Sequence, residues 1–91
     1  MTFLSSATFV EGLAWINHCS GLTKMGDFDE AMKVANRARD IFASQKLLIG
    51  EGQSLDHLSS LHMTRGDFAK SATCAKRARQ IFSEAAVKLS S

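Results

Sequence analysis

The chain has 91 residues, of which 45% are hydrophobic and 22% charged, with a formal net charge of +2, no proline and no tyrosine. This length excludes two domains, and the composition excludes a disordered tail or a membrane span. The small positive charge excludes a clearly basic nucleic-acid-binding domain, and the lack of proline favours helix throughout.

Residues 1–10 are apolar and serine-containing, with Phe3, Leu4, Phe9 and Val10. They lack the basic stretch of a signal peptide, and no segment approaches the roughly 18 apolar residues of a membrane helix. They are read as a partial helix or cap, and the chain as cytoplasmic. Cys19 and Cys74 form no disulfide framework and have no metal-ligand spacing, so both are expected as reduced thiols.

From residue 11 the chain repeats itself. A shift of 40 residues places Gly26-Asp27-Phe28 on Gly66-Asp67-Phe68. It also places Ala35, Arg37, Ala38, Arg39, Ile41 and Phe42 on Ala75, Arg77, Ala78, Arg79, Ile81 and Phe82. With Glu11-Gly12 on Glu51-Gly52 and Ser20 on Ser60, there are 12 identities over the 32 positions 11–42, without a gap. A period of this size marks a repeat architecture.

Each copy reads as a helical hairpin. In copy one (11–46), Trp15, Cys19, Leu22 and Met25 form an apolar stripe that ends at Gly26. Gly26 suits a left-handed helix end, and Asp27 with Glu30 suits a capping box for the next helix. That helix buries Phe28, Ala31, Val34 or Ala35, Ala38, Ile41 and Phe42. Residues 47–50 are read as the linker, because Gly50 and Gly52 are the only glycine pair between the copies. Copy two (51–91) repeats the plan with Leu55, Leu58 or Ser59, and His62. Phe68, Ser71 or Ala72, Ala75, Ala78, Ile81 and Phe82 follow, with a C-terminal helix extension. Lys70 replaces the capping-box glutamate and opposes the helix dipole, so this hairpin is expected to be the weaker one.

These residues resemble the tetratricopeptide repeat. Trp15, Cys19, Leu22, Gly26-Asp27-Phe28, Ala31 and Ala38 match its pattern in copy one; Leu55, Ser59, Gly66-Asp67-Phe68 and Ala78 match it in copy two. The 40-residue period is similar to the longer variant of the repeat. His62 and Ser71 depart from it, standing where the family prefers leucine or tyrosine and alanine. The resemblance implies an all-α fold of two tandem antiparallel helical hairpins, with a groove lined by the first helix of each hairpin that holds a partner's peptide or helix.

On that geometry, Leu13, Ile16, Asn17, Ser20, Thr23 and Lys24 face the groove from copy one, and Gln53, Asp56, His57, Ser60, Met63 and Thr64 from copy two. Asn17, Ser20, Lys24, Asp56, His57 and Ser60 are the expected peptide-binding residues. Asn17 leads, because its amide both donates and accepts hydrogen bonds to a peptide backbone. The lysine, arginine and asparagine clamp by which some relatives hold a terminal carboxylate is not present. His18, His57 and His62 lack a metal-ligand spacing, and no nucleophile, phosphate-loop or dinucleotide signature occurs, so neither an enzyme nor a cofactor or metal is expected. Arg37, Arg39, Lys76, Arg77 and Arg79 are read as surface residues whose stems cover apolar area.

Two repeats fall short of the roughly three that solenoids usually need. Ala85, Ala86, Val87 and Leu89 are expected to lie uncovered. The chain is therefore expected either to self-associate through its open ends or to belong to a longer array. The expected partners are another protein or a second copy, with neither nucleic acid nor membrane.

Overall fold

The structure is a computed structural model that describes residues 14–90. Among them are four helices and no strands, so the fold is all-α. Helix α1 covers residues 14–24, α2 Phe28–Ser44, α3 Leu48–Thr64 and α4 Phe68–Ser90. The segment 1–10, Glu11-Gly12 and Leu13 lie outside the described residues.

Three short turns with one geometry connect the helices. At the end of α1, the Gly26 N–H donates to the Thr23 carbonyl and the Asp27 N–H to Leu22. The same pair of bonds recurs from Lys46 to Ala43 and Leu47 to Phe42, and from Gly66 to Met63 and Asp67 to His62. This is the Schellman arrangement, and its penultimate residue must be left-handed. Gly26 and Gly66 have φ of 83° and reach it freely; Lys46, with φ of 57°, reaches it against its own Cβ.

The turn bonding alters the expected capping box. The Asp27 side chain does accept from the Glu30 N–H, at 3.5 Å. The reciprocal half does not form, because the Asp27 N–H is already bonded to Leu22, and Glu30 lies 3.9 Å from Lys33 instead. Met25, expected in the apolar stripe of α1, is 79% exposed, because it sits in the turn rather than on the helix face.

The expected linker at 47–50 is also corrected. The chain turns at 45–47, and residues 48–50 are already helical. Gly50 and Gly52 serve packing rather than turning. A Cβ on Gly50 would fall on the Phe42 ring, and one on Gly52 would come within 2.7 Å of the Phe82 ring. The first turn of α3 thus lies between two aromatic rings, one from α2 and one from α4.

One core runs through all four helices, built from Cys19, Leu22, Ala31, Val34, Ala35, Leu55, Leu58, Leu61, Ala78 and Ile81. The small residues mark helix crossings. At the α1–α2 crossing the Cys19 thiol donates to the Ala31 carbonyl at 3.1 Å. At the α3–α4 crossing, Ser59 and Ser71 occupy the positions 40 residues on, and each hydroxyl donates to the other's carbonyl at 2.9 Å. Around this core, Arg37 stacks over the Trp15 ring at 5.1 Å, tying α1 to α2. Arg65 reaches Asp29 at 2.8 Å, tying the α3–α4 turn to α2.

Copy two departs from the expected burial at its ends. Phe68 is 65% exposed, and Leu61, which was not expected in the core, is buried. Ala85, expected to lie uncovered, is buried, whereas Val87 and Leu89 are exposed as expected. Helix α4 runs through Ala85-Ala86-Val87, the counterpart of the Gln45-Lys46-Leu47 turn, because nothing there stops a helix.

Candidate peptide-binding groove

Helices α1 and α3 are not consecutive, yet they flank a groove of about 230 Å³. Ser20, Thr23 and Lys24 line it from α1, and His57, Ser60, Leu61 and Thr64 from α3. On each helix these residues recur at three- and four-residue steps, so each wall is one helical stripe. Ser20 and Ser60 are the same position of the repeat, which sets two like hydroxyls on opposite walls.

The polar groups of the walls divide by capacity. The Thr23 hydroxyl donates to the Cys19 carbonyl at 2.9 Å and the Thr64 hydroxyl to Ser60 at 3.0 Å. Their protons are committed, so both oxygens face the groove as acceptors. Lys24 brings donors and a charge, and buried Leu61 supplies an apolar floor. No carboxylate among the described residues lines this groove.

Four of the six expected binding residues, Ser20, Lys24, His57 and Ser60, are thus brought together. Thr23 and Thr64, expected to face the groove, also line it; Leu61 was missed, because its neighbour His62 was assigned to the core. Asn17 and Asp56 do not line the groove. Asn17 is exposed one turn before Ser20, beyond the end of the α1 wall. Asp56 is exposed next to His57, and about 100° of rotation per residue carries it off the α3 stripe. Ile16, Gln53 and Met63 likewise stay outside the lining.

Beneath the α1 wall, Cys19 is buried and free, and burial pushes its thiol pKa up, with hydrogen bonding to Thr23 and the Ala35 backbone offsetting part of the shift. His62 lies on the α4 side of α3. Its Nδ1 is buried without a hydrogen-bond partner among the described residues, 3.9 Å from the Asp67 carboxylate. The tight α3–α4 turn brings Asp67 to this ring. No group of three or more histidine, cysteine, aspartate or glutamate side chains among the described residues is arranged to hold a metal.

Of the repeated basic positions, Arg37 is occupied by Trp15 and Arg39 by Asp40 at 3.0 Å, while Lys76, Arg77 and Arg79 are exposed on α4. Among the described residues no helix is long and apolar enough to cross a membrane.

Fold and groove together define an all-α protein with a hydroxyl-rich, lysine-edged channel between two parallel-facing helix walls. No family model matches this chain, and no curated protein or solved structure matches it either.

Proposed function

We propose that this chain is a protein-interaction scaffold of the tetratricopeptide kind, which holds a segment of a partner protein in the groove between α1 and α3. The observation that carries this reading is the convergence of Ser20 and Lys24 with His57 and Ser60 across two non-consecutive helices. A channel of serine and threonine oxygens beside one lysine suits an extended backbone, whose N–H groups need acceptors, with an acidic side chain beside Lys24. The role involves recognition without catalysis or cofactor, in the cytoplasm.

The test is groove blockade. Partner proteins captured by the wild-type chain from native extract are compared with those captured by a Lys24→Glu, Ser60→Arg variant that reverses the charge and fills the channel. The reading expects a discrete partner to be lost from the variant while its helical content and melting are kept. Unchanged capture refutes it.

A further inference from the structure

The groove walls hold two kinds of hydroxyl. Thr23 and Thr64 spend their protons on carbonyls of their own helices, as Ser54 and Thr73 do elsewhere. Ser20 and Ser60 do not, and neither hydroxyl has a hydrogen-bond partner among the described residues. They are the same position of the repeat, one on each wall, so an uncommitted O–H donor flanks the channel on either side.

Further donors stand one turn from this pair. Lys24 follows Ser20 by four residues on α1, and half-buried His57 precedes Ser60 by three on α3, so each shares a helical stripe with its serine. A flexible lysine stem carries its ammonium along the wall toward the serines, and an imidazole offers an N–H even when neutral. No carboxylate among the described lining residues competes for these groups.

A neutral peptide backbone leaves much of this donor set unused, because Thr23 and Thr64 answer its N–H groups and its carbonyls carry no charge. A carboxylate offers two oxygens and one charge. A phosphorylated serine or threonine offers three strong acceptor oxygens and about two negative charges near neutral pH. We infer that the groove takes a phosphorylated serine or threonine side chain of the bound segment, with Ser20, Lys24, His57 and Ser60 around its oxygens. This rests on the reading of the groove as a peptide site, and it narrows the partner to a protein whose phosphorylation turns capture on.

Titration of the isotope-labelled full chain with three capped peptides, followed by amide NMR, tests this. Each peptide is alanine on both sides of a central phosphoserine, glutamate or serine. The phosphoserine peptide is expected to shift the amides of residues 20, 24, 57 and 60 saturably. It is expected to bind about tenfold or more tightly than the glutamate peptide, the worth of one or two added charge-assisted hydrogen bonds. In a Ser20→Ala, Ser60→Ala chain this preference is expected to shrink, and Lys24→Gln is expected to weaken both anionic peptides. Alanine favours helix, so the double variant keeps the fold, as circular dichroism verifies. Equal binding of the phosphoserine and glutamate peptides, shifts confined to Lys76, Arg77 and Arg79 on α4, or an undiminished preference in the double variant overturns this inference and leaves the peptide groove standing. Absence of groove shifts from all three peptides overturns the groove reading with it.

Discussion

Ser59 on α3 and Ser71 on α4 are bonded reciprocally, each hydroxyl donating at 2.9 Å to the other's backbone carbonyl, with their oxygens 3.0 Å apart. Each hydroxyl has one proton, so with both committed to carbonyls the contact between the oxygens is one of proximity. Both side chains are buried, and an apolar residue of larger size would hold the helices apart. Ser59→Ala or Ser71→Ala is expected to cost about 1 kcal/mol, the net worth of one buried hydrogen bond, in a chemical denaturation curve. Ser59→Leu is expected to cost more than either, through overpacking.

Gly50 is predicted to resist substitution despite its place in a helix. Alanine there gains about 1 kcal/mol of helix propensity. Its Cβ would fall on the Phe42 ring, however, and overpacking of a filled core costs about 1–3 kcal/mol. Gly50→Ala is therefore expected to lower the thermal midpoint, and Phe42→Leu in the same chain to restore part of the loss. A Gly50→Ala chain that melts higher than wild type would rule out the packing account.

Lys46 is the one non-glycine residue with positive φ among the described residues. Its two counterpart turns use glycine. Lys46→Gly is expected to stabilise the protein by up to about 1 kcal/mol, the usual cost of a left-handed residue with a Cβ, less the added freedom of glycine in the unfolded chain. Denaturant titration reads the difference directly.

Cys19 and Cys74 are predicted to react unequally. With a thiol-specific reagent at neutral pH, half-buried Cys74 is expected to be modified in the folded protein and fully buried Cys19 only on unfolding. Because burial raises the Cys19 pKa, the unfolded chain releases this proton before the folded one does. Stability is thus unaffected below the ordinary thiol range of about 8.5 and falls as pH rises above it. Cys19→Ala is expected to reduce that alkaline decline, as followed by melting at stepped pH.

The turns at Gly26 and Gly66 and the buried faces of α2 were legible, because glycine and helical period report them, whereas the groove residues were expected only from the tetratricopeptide resemblance. The middle turn was not legible. Its left-handed residue is a lysine, and the nearby glycines, which read as a linker, are there to admit the Phe42 and Phe82 rings. Helix burial also hid Leu61 behind His62, since adjacent residues on α3 split between the groove floor and the α4 contact. The limits of the groove depend on where its two walls end, which placed Asn17 and Asp56 outside although both lie on the correct helices.

The most direct measurement is site-specific photo-cross-linking in native extract, with a photoreactive residue at Ser60 in the groove and, in a second protein, at Lys76 on exposed α4. The account predicts that position 60 cross-links one short segment of a partner protein and that position 76 does not. Equal labelling from both positions, or labelling of unrelated proteins at position 60, would contradict it.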